Sequence, residues 1–358
     1  MPRSTLARID TAALRHNYRM ASELAGNARA MAVIKADGYG HGIGDVARAL
    51  QNEAPKFAVA CIEEALAIRE AGINVPVVLL QGPHSPEDVD ISALNDFELV
   101  IHSDHQLPWL AEASTAPTLW IKVNSGMNRL GFPPEHLGRV MSALTALALG
   151  SKVTGFVTHF ACADDQQSSY TSDQTRVFLR ATEPWPELDR SLANSAAHFL
   201  QGQELCDWTR PGIMLYGGSP VIGRLGPDLG LQPVMTLEAK LTSVRTLKAG
   251  DSVGYGASWT ASADTRMGIV AIGYGDGYPR HAGTDTPAWV NGCRIRLIGR
   301  VSMDMLAVDL SAALDAKPGD TVELWGPNVS VDEVAQHAGT IGYELLTGIT
   351  VRVPRVIE

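Results

Sequence analysis

A lysine, Lys35, stands where a short apolar run ends, in Ala30-Met31-Ala32-Val33-Ile34-Lys35-Ala36-Asp37-Gly38-Tyr39-Gly40-His41-Gly42. An amine desolvated at such a point can lose its proton and attack a carbonyl to form a Schiff base. The plain alternative is a lysine that snorkels from a strand end into water. If the amine is reactive, the natural carbonyl is pyridoxal phosphate, and three needs follow. Its phosphate needs N–H and hydroxyl donors, its ring nitrogen needs a partner, and the proton in transit needs acids and bases. Candidates for each are present. Ala193-Asn194-Ser195-Ala196 offers a hydroxyl at a helix start, and Arg210-Pro211-Gly212-Ile213 offers a cation followed by a bare amide. Lys122-Val123-Asn124-Ser125-Gly126-Met127-Asn128-Arg129 closes another run with two cations, and His159 follows the run 153–158. Each has a duller use: Asn194-Ser195 as a helix cap, Gly212 as a turn, Lys122 as a paired interior charge. The spacing of Gly38, Gly40 and Gly42 is not a dinucleotide fingerprint.

Such groups need elements to hold them, and barrel enzymes keep theirs at the carboxyl ends of parallel strands. Short apolar runs alternate with helical stretches, giving eight expected strands at 31–35, 57–61, 75–80, 97–101, 119–123, 153–158, 191–194 and 212–216. Helix-like pieces such as 62–71 and 134–149 lie between them. Eight strand-then-helix units point to an α/β fold, an N-terminal (β/α)₈ TIM barrel. A strand at 5–9 precedes them, followed by a helix capped at Asp10. At 217–233 the chain turns rich in glycine and proline, like a linker. Beyond it strands separated by tight turns take over, including 269–272, 295–298 and 306–310, as in a mainly-β domain. The expected domains are 1–229, the barrel, and 230–358, the β domain, with the first strand (about 4–9) packing against the latter.

Totals narrow the class. The 358 residues are 45% hydrophobic and 19% charged, the pattern of a soluble globular protein of two domains. A net charge of −10 without a basic cluster argues against nucleic acid. Cys61, Cys162, Cys206 and Cys293 are scattered, which predicts reduced thiols rather than disulfides or a zinc site; no metal is expected. No signal peptide and no membrane-spanning run are visible, so the expected location is the cytoplasm.

Taken together, these pieces resemble the fold-type III pyridoxal-phosphate alanine racemases over nearly the whole chain. The most specific is Ala32 through Gly42. The others are Ser125-Gly126-Met127-Asn128-Arg129, Asn194-Ser195, Arg210-Pro211-Gly212-Ile213, Gly254-Tyr255-Gly256-Ala257, Ile272-Gly273-Tyr274-Gly275-Asp276-Gly277 and Arg300-Val301-Ser302-Met303-Asp304. The resemblance implies a head-to-tail homodimer in which each site borrows residues from its neighbour. Lys35 would carry pyridoxal phosphate. Tyr39, Ser195, Gly212, Ile213 and Tyr343 would hold the phosphate, with Asn194 beside them. Arg210 would face the pyridine nitrogen, His159 would stand behind it, and Arg129 would lie by the phenolic oxygen and the substrate. The partner would supply Tyr255, Met303 and Asp304. Arg280 matches the arginine beside that tyrosine, and Tyr274 matches a residue narrowing the entrance. Lys122 matches a lysine that some relatives carry as a carbamate. The family often has an aspartate where this chain has Asn124.

Racemisation takes a proton from one face of Cα and returns one to the other, so two bases on opposite sides are the economical design. The resemblance gives Lys35 the D face and Tyr255 the L face. A phenol of pKa near 10 is about a thousandfold short of its phenolate at neutral pH, roughly 4 kcal/mol, and a neighbouring cation reduces that cost. Arginine at the ring nitrogen cannot hand over a proton, which weakens the electron sink and limits leakage into transamination. The expected reaction is L-alanine to D-alanine interconversion, supplying D-alanine for peptidoglycan or recovering L-alanine. The rivals are a racemase of broader specificity that accepts serine, a barrel-fold decarboxylase, a non-catalytic cofactor carrier, and a barrel without cofactor. A decarboxylase would carry glutamate where Arg210 stands, and pocket size alone separates alanine from serine only about 10–200-fold.

Overall fold

Residues 5–358 are described by a computed structural model. The strand β1 (Leu6–Ile9) comes first, and Ser4 at its expected start lies outside the described residues. Asp10 caps the helix Thr11–Ala25, its carboxylate accepting from the N–H groups of Ala12 and Ala13 at 2.8 and 2.9 Å. Eight parallel strands then close a barrel: β2 (Arg29–Val33), β3 (Lys56–Val59), β4 (Val77–Leu79), β5 (Phe97–Ile101), β6 (Thr118–Lys122), β7 (Val153–Val157), β8 (Asp189–Asn194) and β9 (Trp208–Arg210). Closure is made where Arg29 and Ala30 of β2 register with Trp208 and Thr209 of β9. The strands are buried on both faces, so they read as continuous apolar runs.

Two expectations need correction. The run 212–216 is not the eighth strand. Gly212 is followed by a tight 3₁₀ turn, Ile213–Tyr216, whose four buried side chains pack under helix Thr11–Ala25. A short apolar run does not distinguish a strand from a buried turn. The true eighth strand, Trp208–Arg210, is only three residues long and ends on an arginine. Likewise β2 stops at Val33, and Lys35 opens a separate turn instead of closing the strand.

The lower, amino-terminal end of the barrel is plugged by a buried ion pair. The Lys56 ammonium meets Glu98 at 2.6 Å, the Trp120 indole N–H donates to the same carboxylate at 2.6 Å, and the ammonium lies 4.7 Å from the Trp208 ring. Filling a barrel bottom in this way serves stability, since the chemistry of such folds belongs to the other end.

The second half is built on β10 (Met235–Leu247), with β11 (Ser252–Val253) and β12 (Trp259–Thr260) forming a small hairpin. The strands β13 (Thr265–Val270), β14 (Pro287–Val290), β15 (Cys293–Leu297), β16 (Leu306–Asp309) and β17 (Thr321–Trp325) follow. Pairing runs β10–β17–β14–β15–β16–β13 and back to β10, so these six strands close a small barrel of their own. The outer stretch of β10 also holds β1, antiparallel, and β1 holds β18 (Arg355–Ile357) in parallel. The stretch 217–233 is no slack linker. Val221, Leu229 and Leu231 are buried, and the amides of Ser219 and Gly226 donate to the Asp332 carboxylate at 3.0 and 2.8 Å. That carboxylate opens helix Val331–Ala338, so the segment is stapled to the second barrel. Among the described residues no helix is long and apolar enough to cross a membrane.

Candidate active site

The turn after β2 sets the position of Lys35. Ala36, Asp37, Gly38 and Tyr39 have φ of 52, 53, 61 and 53°, a left-handed helical turn. For the three that carry a Cβ this costs about 1–2 kcal/mol per residue, about 3–6 kcal/mol together, which the surroundings must offset. They do so with specific bonds. The Gly38 amide returns to the Ile34 carbonyl at 2.9 Å, the Asp37 carboxylate accepts from Ile43 N–H at 2.8 Å, and Arg355 Nε donates to the Gly40 carbonyl at 3.0 Å. Glu64 takes the Ala36 N–H at 2.6 Å and the Ala60 N–H at 2.8 Å. Gly40 is required: a Cβ there would lie 2.1 Å from the Leu346 carbonyl oxygen. Tyr39 is stacked on Tyr216 with centroids 4.6 Å apart, and the Tyr216 hydroxyl donates to the Val33 carbonyl at 3.2 Å.

At the carboxyl end of the barrel lies a cavity of about 610 Å³. Its wall includes Lys35, Tyr39, Lys122, Arg129, His159, Asn194, Ser195, Arg210, Gly212, Ile213 and Tyr343, all named from sequence for one site. Each follows or ends a barrel strand except Tyr343, which comes from helix Gly342–Thr347 of the second half. Arg210, the last residue of β9, is buried and donates to Ser191 Oγ, the Thr158 carbonyl and, at 3.2 Å, the Leu192 carbonyl. His159 Nδ1 is 3.4 Å from the same guanidinium. Ser195 Oγ accepts from Gly212 N–H at 2.7 Å, and a Cβ on Gly212 would meet the Tyr39 hydroxyl at 2.5 Å. Asn124 uses its side chain on its own loop: Oδ1 accepts from the amides of Gly126 and Asn128 at 3.2 and 3.0 Å, shaping the loop that presents Arg129. Its Nδ2 also donates to Asn128 Oδ1 at 2.9 Å, the one of these three bonds that an aspartate could not make.

The electrostatics are lopsided. Four cations, Lys35, Lys122, Arg129 and Arg210, line the cavity against the one carboxylate of Glu344. Burial, then Arg129 and Arg210, lowers the Lys35 pKa, with Glu64 acting the other way. Burial and the charges of Arg210, Arg129 and Lys35 push Lys122 down to about 7. Burial brings even Arg210 down to about 10, and burial with Arg210 drives His159 well below its ordinary value, keeping it neutral. A lining this rich in cations fits an anionic molecule. The Ser195 hydroxyl, oriented by the Gly212 N–H so that its own hydrogen is free to donate, and the Tyr39 hydroxyl packed close over Gly212 fit a phosphate, and Lys35 fits a carbonyl. The residues present therefore suit pyridoxal phosphate.

Tyr255, Tyr274, Arg280, Met303 and Asp304 do not line this cavity. Tyr255 is 72% exposed, on a turn where Gly256 takes a φ of 74°. Met303 and Tyr274 are exposed on one surface, tied by Gly275 N–H to the Met303 carbonyl at 2.8 Å, and Arg352 holds the Asp304 carboxylate at 2.6 Å.

Comparison with known proteins settles the kinship. The family model described as the alanine racemase N-terminal domain matches residues 9–220, and the C-terminal domain model matches residues 234–357. The chain belongs to the alanine racemase family. An alanine racemase of Marinobacter nauticus is 65% identical over 358 residues, 100% of both chains. The biosynthetic alanine racemase structure from Pseudomonas aeruginosa superposes with a TM-score of 0.94 at 44% identity, covering 99% of each chain. That from Bartonella henselae, described with covalently bound pyridoxal phosphate, gives 0.88 at 31% identity over 100% of both. The family consists of isomerases, and alanine racemisation is the activity of this chain.

Sequence reasoning missed Glu64, Tyr216 and Ser191. Glu64 sits in the first turn of helix Ile62–Glu70, where an acidic residue is unremarkable. Only its place five residues beyond the end of β3 hinted that it faced the Lys35 turn.

Proposed function

We propose that the chain interconverts L- and D-alanine with pyridoxal phosphate on Lys35, using two bases drawn from two copies of itself. When bound, the cofactor withdraws electrons from Cα and so acidifies its hydrogen. The chain's own residues do the rest. Tyr39, Ser195, Gly212, Ile213 and Tyr343, with Asn194 adjacent, would bind the phosphate. Arg210 would face the pyridine nitrogen with Arg129 at the phenolic edge. Lys35 would hold or return the proton on the D face and Tyr255 of the partner subunit on the L face, assisted by Arg280. Met303 and Asp304 of the partner subunit would bound the substrate, and Tyr274 would narrow its entry. His159, kept neutral, would orient Arg210. The buried, carboxylate-free setting of Arg210 favours racemisation over decarboxylation.

One observation carries this reading: the cavity gathers an amine, cations and a phosphate cradle at the barrel mouth, while Tyr255 stands exposed outside it on the same chain. A head-to-tail homodimer would supply that tyrosine. We place the enzyme in the cytoplasm, making D-alanine for peptidoglycan or recovering L-alanine. The test mixes two inactive variants, Lys35→Ala and Tyr255→Phe, after dissociation and reassociation. Random pairing makes half the dimers mixed, each with one intact and one doubly disabled site, so about a quarter of wild-type activity should return. Recovery near zero would overturn the shared site.

A further inference from the structure

The carboxylate of Glu64 spans the ends of two barrel strands. Its Oε1 accepts from Ala36 N–H, the residue after Lys35, at 2.6 Å, and its Oε2 accepts from Ala60 N–H, just past β3, at 2.8 Å. We propose that Glu64 is the positioning residue of the reactive amine: it caps the left-handed turn at its first amide and fixes the backbone from which Lys35 springs.

Three features support this. The first amides of a helical turn have no carbonyl within the turn to bond, and here Glu64 accepts the Ala36 amide at the start of a left-handed one. The bond is charge-assisted and one of two on a single rigid carboxylate, which constrains orientation as well as distance. Glu64 is also the acidic group whose charge reaches Lys35, opposing the cations Arg129 and Arg210. A plain helix-dipole role would be served equally by Glu63 on the same turn, which is exposed. Glu64 touches neither cofactor nor substrate in this scheme and does not line the cavity, so its influence runs through Lys35.

The inference rests on the proposed use of Lys35 as cofactor anchor and D-face base, and the test separates the two. Holoenzymes of Glu64→Ala, Glu64→Gln and, as a control on the same turn, Glu63→Gln are compared with wild type and Tyr255→Phe. The first readout is the rate at which pyridoxal phosphate is released into buffer, followed by its fluorescence. The second, in deuterated water from L-alanine, is the ratio of deuterium found in recovered L-alanine to D-alanine formed. For Glu64→Ala, release should accelerate about tenfold, and the ratio should rise about tenfold because the L-face exchange persists while return at the D face is slowed; a 1 Å misplacement can cost about 10²-fold. Glu64→Gln keeps one acceptor and should move both readouts in the same direction by about threefold. Glu63→Gln should leave both unchanged. Wild-type values of both in Glu64→Ala would overturn the proposal, as would wild-type values in Glu64→Gln if the alanine variant does not fold. Tyr255→Phe should shift the ratio downward. If it does not, the two-base reading fails, and the release rate alone decides the role of Glu64.

Discussion

Adding one methyl group at Gly212 tests the phosphate cradle directly. A Cβ there would sit 2.5 Å from the Tyr39 hydroxyl, and ordinary contact begins at 3.4 Å, so the hydroxyl must retreat by about 0.9 Å. The ring has little freedom to do so. Its face lies on Tyr216 at 4.6 Å, Tyr343 stands 6.2 Å away, and its backbone is locked in the left-handed turn. A hydrogen bond from Tyr39 to a charged phosphate is worth about 1.5–3 kcal/mol. Its loss should weaken cofactor binding in Gly212→Ala by about 10–150-fold, with Lys35 untouched. Titration of the apoenzyme with pyridoxal phosphate, followed by absorbance, measures this; thermal unfolding of the same apoenzyme shows whether the fold is intact. Tyr39→Phe should lose a similar amount for a different reason, the missing hydroxyl. Because the methyl acts through that hydroxyl, the double variant should lose little more than either single one. Binding within twofold of wild type in Gly212→Ala, or losses that simply add, would refute this geometry.

Lys122 makes stability depend on pH. Its amine is held down to about 7 against an ordinary 10.5, so between these values the unfolded chain binds a proton that the folded one lacks, and stability rises with pH across that window. Below about 7 both states are charged and the whole cost, at most about 5 kcal/mol, is present. Lys122→Met should therefore stabilise the protein most at pH 6 and least near pH 10 in denaturant titrations; destabilisation at pH 6 would show instead that the side chain is anionic, as a carbamate is. At the barrel bottom, Glu98→Ala would leave the Lys56 ammonium and Trp120 indole without their shared acceptor, in a pair whose side chains are only 11% and 13% exposed. The loss should be about 3–5 kcal/mol in urea unfolding, with cofactor affinity of the folded enzyme unchanged.

The barrel was legible because strands buried on both faces read as unbroken apolar runs between helices; 97–101 coincides with β5 to the residue. The eighth strand was not legible. Trp208-Thr209-Arg210 carries too few apolar residues to stand out, while Ile213 through Tyr216 carries four and buries them in a turn. Lys35, Lys122, Arg129, His159, Asn194, Ser195 and Arg210 were legible by type as candidates at strand ends, each with a structural alternative, whereas Tyr39, Ile213 and Tyr343, which also line the cavity, were named only through the family resemblance. The hand of the Lys35 turn was hidden: its glycines announce freedom of φ, but Ala36, Asp37 and Tyr39 take positive φ because distant groups bond to the turn. Glu64 and Arg355 are such groups, and no local pattern at 35–40 could name them.

Arg355 adds a matter of timing. It grips Gly40 from 315 residues further along the chain and is itself held by the carbonyls of Ile349, Thr350 and Val353. Protein synthesis proceeds from the amino end at about 5–20 residues per second, so roughly 16–63 s separate the two partners at the ribosome. Throughout that interval the turn has its bonds to Ile34, Ile43 and Glu64 within reach and lacks only the one that Arg355 makes to Gly40. The second half therefore adds a late clamp to a turn whose other bonds, and the cations Arg129 and Arg210 beside the Lys35 amine, already belong to the first barrel.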